Sequence, residues 1–181
     1  FILSFKILSF CKSSFFILSI LPILHYFVYI NFLYKSSEFY KFGNLLAAFL
    51  LINPKYRNVL SKNDEFIIPS ICWSTSLWPF FQAGLKPKFI DVDKNNFNID
   101  LDLLEKKINK KTRVIVAVHV LGLSTDMSRL KKIINKNNLI LIEDTCESLG
   151  SKFNNKFLGT HGDLGTFSFY YSHQITSGEG G

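Results

Sequence analysis

From residue 44 onward, short runs of consecutive apolar residues alternate with stretches in which apolar positions recur every three or four residues. The first pattern suits a strand buried on both faces, and the second an amphipathic helix. Asn44-Leu-Leu-Ala-Ala-Phe-Leu-Leu-Ile52 reads as a short helix stopped by Pro54. Phe66-Ile-Ile68 reads as a strand ended by Pro69. Thr75 to Ala83 has helical spacing with Gly84 as a stop, although Pro79 interrupts it. Lys88-Phe-Ile-Asp-Val92 is a second strand, and Asp100 is placed to cap a helix over Leu101–Ile108. Val114-Ile-Val-Ala-Val118 is continuously apolar and rich in β-branched residues, the signature of a buried parallel strand. Asp126 is placed to cap a helix over Met127–Asn135. Leu139-Ile-Leu-Ile142 is a fourth strand that runs out at Glu143-Asp144, and Thr166-Phe-Ser-Phe-Tyr170 is a fifth.

Strands alternating with helices imply an α/β fold with a mainly parallel sheet and helices on both faces. No internal repeat is evident. In such sheets ligands gather beyond the carboxyl ends of the strands. That directs attention to Asp144, to the loop Pro69–Thr75 and to the segment after Tyr170.

Residues 1–43 have a different character. They hold nine of the 19 Phe, many Ile, Leu, Ser and Tyr, and almost no Ala, Gly, Val or acidic residue. Phe15 to Leu33 is long and apolar enough to span a bilayer, with Lys6 and Lys12 before it, but Pro22, His25 and Asn31 interrupt it. Three readings stand for this stretch: a membrane segment, a buried helix, or the product of AT-rich DNA read in a wrong frame. The chain does not begin with Met and ends inside a glycine-rich motif, so we expect a sequence cut at both ends.

The net charge of +7 is spread out, with short pairs such as Lys106-Lys107 and Lys131-Lys132. This is the pattern of solvated helix faces, not of a basic stripe with interleaved aromatics, and nucleic acid is not an expected partner. A modest basic excess also suits an anionic small molecule. Cys11, Cys72 and Cys146 are widely spaced, which argues against a disulfide scaffold or a self-contained zinc site and fits a reducing, cytoplasmic setting.

Four residues carry candidate chemistry on their placement alone. Asp144, just beyond an apolar strand, suits either a cap for the residues that follow or a carboxylate that pairs with a cofactor or metal. Glu147 lies three residues on and can share a site with it, but no His stands at ligand spacing. Trp73, in Ile71-Cys-Trp-Ser-Thr75, suits core packing or stacking on a flat ring. His173 stands in a polar turn between a strand and a glycine-rich stretch. An imidazole there suits a structural role or a general base, since its ordinary pKa is near neutrality.

Taken in order, longer phrases resemble the DegT/DnrJ/EryC1/StrS family of sugar aminotransferases and their relatives. Asp64-Glu-Phe-Ile-Ile-Pro69 resembles the family's G-D-E-V-I-V-P. Gly84-Leu-Lys-Pro-Lys-Phe-Ile-Asp-Val-Asp93 resembles its G-A-x-P-V-F-V-D-V-D. Asn98-Ile-Asp100, Thr112-Arg-Val-Ile115, Val118-His-Val-Leu-Gly122, Ile142-Glu-Asp144, Ser168-Phe169 and Gly178-Glu-Gly-Gly181 follow in register. The resemblance covers about residues 44–181. It implies part of the large domain of the aspartate-aminotransferase-type fold (fold type I), truncated at its C-terminus, in an enzyme that uses pyridoxal 5'-phosphate and works as a homodimer.

The resemblance also implies roles. Asp144 would pair with the cofactor's pyridine nitrogen, Trp73 would stack on its ring, Ser168 would bond its phosphate and Glu147 would lie near its phenolic oxygen. The family's Schiff-base lysine belongs five residues after Ser168, and His173 stands there instead. The chain therefore resembles the branch of the family that dehydrates nucleotide-linked 4-keto-6-deoxysugars at C3, on the way to the 3,6-dideoxysugars of lipopolysaccharide. Some of that branch use an iron–sulfur cluster and a partner reductase. Trp73-Ser-Thr75, Cys146-Glu147-Ser148 and Tyr171-Ser-His173 look closer to the members that do not, but the ligands of such a cluster belong to a part of the family's sequence outside this chain, so both types stay open. The chemistry implied is conversion of the cofactor to pyridoxamine 5'-phosphate by glutamate, with His173 as the base. Family members carry an S-G-S-x-A-N-type phosphate turn before the helix at Asn44, and Glu38-Phe-Tyr-Lys-Phe-Gly43 does not match it. That mismatch favours the wrong-frame reading of residues 1–43, and we expect the chain on its own to be inactive.

Overall fold

The structure is a computed structural model, and it describes residues 60–61 and 63–176 together with the backbone of 179–180. All of these belong to one compact unit, Phe39–Gly181. The break placed at residue 43, the apolar run at 15–33 and the helix at 44–52 lie outside the described residues. So do most of the closing glycines. Among the described residues no helix is long and apolar enough to cross a membrane.

Five parallel strands form the sheet, in the order β2-β1-β3-β4-β7. They are β1 (Glu65–Pro69), β2 (Lys86–Ile90), β3 (Thr112–Val118), β4 (Ile140–Asp144) and β7 (Leu164–Thr166). Three helices make the crossovers: α1 (Ser74–Gln82), α2 (Leu101–Lys107) and α3 (Met127–Asn137). Successive strand residues point to opposite faces, and both faces are covered. One carries Phe66, Ile68, Val114, Val116, Ile140 and Ile142 against Phe80 of α1. The other carries Ile67, Ile115, Ala117 and Leu141 against Leu104 of α2 and Leu130, Ile133 and Ile134 of α3. This double coverage is why the strands read as unbroken apolar runs.

Both caps seen in the sequence form. The Asp100 side chain accepts from the amides of Asp102 and Leu103, and the Asp126 side chain from that of Arg129. The second strand begins two residues earlier than the spacing indicated, taking in Pro87, which an edge strand tolerates because one side of its ladder is unpaired. Thr166–Tyr170, read as one strand, is two. Leu164–Thr166 joins the sheet as β7, whereas β8 (Phe169–Tyr170) pairs with β9 (Glu179–Gly180) in a separate ribbon. The cause is local: Ser168 Oγ accepts from Tyr170 N at 3.2 Å, a side-chain bond that draws the chain away from the ladder. A small hairpin, β5 (Lys152–Phe153) with β6 (Lys156–Phe157), turns on Asn154 and Asn155, both at positive φ.

Candidate functional site

Strands β3, β4 and β7 end side by side, with Val118 opposite Asp144 and Asp144 opposite Thr166. Asp144 is the last residue of β4 and is 4% exposed. No helix follows it, so it caps none. Its Oδ2 accepts from Ser76 Oγ at 2.6 Å and its Oδ1 from Cys146 N at 3.2 Å. Ser76 is the third residue of α1. The first turn of that helix carries no acidic residue of its own, and the carboxylate it meets comes from the sheet. A negative charge is favoured at a helix start by the exposed amides and the dipole.

Trp73 immediately precedes α1 in extended backbone, and its carbonyl accepts from Ser76 N at 2.9 Å. Its side chain is 74% exposed, so it is not core packing. The thiols of Cys72 and Cys146 are pushed up by burial first and by the Asp144 charge second. Neither is poised as a thiolate nucleophile. Among the described residues, no group of three or more His, Cys, Asp or Glu side chains is arranged to hold a metal ion.

Glu147 lies in the turn after β4. Its carboxylate accepts from Leu121 N at 3.3 Å, and its carbonyl accepts from Gln174 Nε2 at 2.8 Å. That second bond ties the segment carrying His173 to the turn that follows Asp144. His173 N donates to Tyr170 O at 3.0 Å, and its ring meets the Tyr170 ring edge-on at 5.9 Å. Among the described residues the ring's Nδ1 is buried and meets no hydrogen-bond partner. Ser168 lies two residues beyond β7. Thus Trp73 is joined to Asp144 through Ser76, and Glu147 to the His173 segment through Gln174. Ser168 joins neither pair by a bond of its own side chain among those seen; its oxygen serves the turn to Tyr170.

Sequence reasoning passed over Ser76, and it passed over the partner of Glu143. As alternation requires, Glu143 points to the face opposite Asp144. It is fully buried, accepting from His119 Nε2 at 3.1 Å, from Gly159 N at 2.9 Å and from Gly162 N. Burial opposes its charge, but these donors outweigh burial and hold its carboxyl below the ordinary range. Gly162 is required where it stands, since a Cβ there would lie 2.6 Å from the Leu141 carbonyl oxygen. The only sequence signals were an acid beside Asp144 and a His just beyond an apolar strand.

The DegT/DnrJ/EryC1/StrS aminotransferase family matches residues 49–181. The chain is 44% identical over 137 residues to the GDP-4-keto-6-deoxy-D-mannose 3-dehydratase of Escherichia coli O55:H7, covering 76% of this chain and 35% of that protein. It is 42% identical over 140 residues to a lipopolysaccharide biosynthesis protein of Salmonella typhimurium, covering 77% of this chain and 32% of that one. Among solved structures, it is similar to GDP-4-keto-6-deoxymannose 3-dehydratase with a trapped PLP-glutamate geminal diamine, with a TM-score of 0.70 and 42% identity over 75% of this chain and 35% of that one. It is similar, with a TM-score of 0.71, 42% identity and the same coverage, to a doubly substituted form in which adjacent serine and histidine become asparagine and lysine. The chain therefore spans about a third of the length of the relatives it matches.

Proposed function

The chain belongs to the DegT/DnrJ/EryC1/StrS aminotransferase family, and from that premise we propose that the full-length protein containing it is a 3-dehydratase. Its substrate is a nucleotide-linked 4-keto-6-deoxyhexose, its cofactor is pyridoxal or pyridoxamine 5'-phosphate, and its product serves lipopolysaccharide sugar synthesis. Residues 44–181 are then part of the large domain, and residues 1–43 stand outside it.

His173 is the observation that carries this reading. No lysine occurs between residues 157 and 181, so the turn five residues after Ser168 offers an imidazole and no amine. Ser172-His173 is the only Ser-His dipeptide in the chain, and an adjacent serine and histidine also occur in the similar dehydratase. Among the described residues the buried Nδ1 of His173 meets no partner, which supports a proton-transfer role, since a proton can be taken there without breaking a bond between those residues.

The residues present fit a phosphorylated pyridine cofactor. Trp73 offers an exposed indole for stacking, Asp144 a buried carboxylate for a ring N–H, and Ser168 a hydroxyl whose hydrogen is still available to a phosphate oxygen. When bound, the protonated ring supplies an electron sink that lets a proton and then the 3-hydroxyl leave. Asp144 holds positive charge on the ring nitrogen. His173 Nδ1 takes the proton and returns one to the departing oxygen. Glu147 would lie near the ring's phenolic oxygen. Glutamate is the amino donor that restores the amine form. The full-length protein works as a homodimer, and the exposed apolar side chains of Leu121, Tyr171 and Ile175 are open to cover by the rest of that protein or by its second copy.

The test is to incubate the full-length protein with pyridoxal phosphate, glutamate and GDP-4-keto-6-deoxymannose and to weigh the sugar product. Loss of one oxygen is expected. Gain of an amino group would mean an aminotransferase and would overturn the role given to His173.

A further inference from the structure

We propose that Ser76 is a positioning residue: its hydroxyl, donated to Asp144 Oδ2, sets the direction in which that carboxylate meets the cofactor's ring nitrogen. The inference rests on the reading of Asp144 given above and goes beyond it by assigning a residue outside the five that the sequence singled out.

The contact is a tertiary one. Ser76 and Asp144 are 68 positions apart, 1% and 4% exposed, and their oxygens are 2.6 Å apart. A serine inside a helix ordinarily returns its hydroxyl to its own helix backbone. Here the hydroxyl reaches across to the end of β4 instead. The reason it matters lies in the rotor it holds. The terminal torsion of an aspartate is broad and nearly two-fold, so packing alone fixes it poorly. A hydrogen bond between a carboxylate and a ring N–H is directional and weakens steeply as it bends. Cys146 N fixes one oxygen, at 3.2 Å, and Ser76 fixes the other. With both held, the carboxylate plane has one orientation.

The same first turn of α1 also begins at Trp73, whose carbonyl accepts from Ser76 N. One short rigid piece therefore carries the ring proposed to stack on the cofactor face and the hydroxyl that aims the carboxylate at its nitrogen. A shift of α1 would move both together.

The test is a double-mutant cycle on the full-length protein, with pyridoxamine 5'-phosphate as the probe. Its dissociation constant is measured by equilibrium dialysis for wild type, Ser76→Ala, Asp144→Asn and the double variant. Ser76→Cys, close in shape but a poor donor, serves as a second way of removing the bond should the alanine variant fold badly. Each Ser76 variant is expected to weaken binding about tenfold, the size of one charge-assisted hydrogen bond, and to cause no further loss once Asp144 is Asn. In absorbance titrations of the bound cofactor, the ring nitrogen of the Ser76 variants should lose its proton at lower pH than in wild type. An equal loss in the Asp144→Asn background, or an unmoved titration, would make Ser76 merely structural and overturn the inference alone. Failure of the wild type to bind the probe, or undiminished binding by Asp144→Asn, would overturn the reading of Asp144 and the inference with it.

Discussion

Replacing Glu143 by Gln should loosen the segment that wraps the end of β4 without emptying any space. The two side chains have nearly the same shape, but Gln has one acceptor oxygen where Glu has two. Glu143 Oε1 accepts from Gly162 N, while Oε2 accepts from Gly159 N at 2.9 Å and His119 Nε2 at 3.1 Å. All of this is buried, with Glu143 at 0% and His119 at 1% exposure. With its amide group turned toward Gly162, Gln faces one donor with another and leaves a buried N–H unsatisfied, at about 1–3 kcal/mol. The two remaining bonds lose their charge assistance as well, so a total of about 2–4 kcal/mol is expected. This converts to a rise in the locally open population of roughly thirtyfold or more at about 1.4 kcal/mol per decade. The readout is hydrogen exchange by mass spectrometry on peptides covering residues 158–165 in the full-length protein. The pH dependence has a definite sign. The folded carboxyl titrates lower than the unfolded one, so its stabilisation is fully present above the unfolded value, about 4.3, and is lost as pH falls through the folded value. Wild-type protection, corrected for intrinsic rate, should fall toward that of Glu143→Gln in this acid range. Equal protection of the two proteins at neutral pH would refute the argument.

Trp73→Ala should leave unfolding of the cofactor-free protein unchanged to within about 0.5 kcal/mol, because the indole is exposed. It should nonetheless remove part of the stabilisation that added pyridoxal phosphate gives in the same thermal scan. His173→Asn should lower dehydration roughly 10²–10⁴-fold, the usual worth of a general base, with the cofactor dissociation constant little changed; mass spectrometry of the sugar and dialysis of the cofactor separate the two. Ser168→Ala should weaken binding of pyridoxamine phosphate but not of phosphate-free pyridoxamine, and equal losses would mean that the residue acts only through its turn. Asp100→Ala removes a cap that two amides use and should cost about 1 kcal/mol in urea unfolding.

The parallel sheet was legible because its strands are buried on both faces, and double burial writes itself as unbroken apolar runs. The two Asp caps were legible because their partners lie two or three residues away. What failed to show was set at longer range or by a single side chain. Residues 166–170 keep strand composition throughout, yet the Ser168 hydroxyl turns the backbone away from β4 midway. The hairpin at 152–157 was within reach, since Asn154-Asn155 between two Lys-Phe pairs is a tight-turn signal.

The adjacent acids Glu143 and Asp144 show where the limit lies for the site. Alternation along a strand dictates that they face opposite sides, and both end up almost fully buried. Composition and spacing treat them alike. What separates them is their surroundings. Glu143 is enclosed by two glycine amides and an imidazole, which together satisfy its charge from within the chain. Asp144 accepts from the Ser76 hydroxyl and the Cys146 amide, among its partners, at the carboxyl edge beside the start of α1. The glycines come from residues 159 and 162 and the hydroxyl from residue 76, so the difference between the two carboxylates is made by distant chain brought close by folding. A reading along the chain finds the edge where the two acids stand, and donors from distant chain set their surroundings apart.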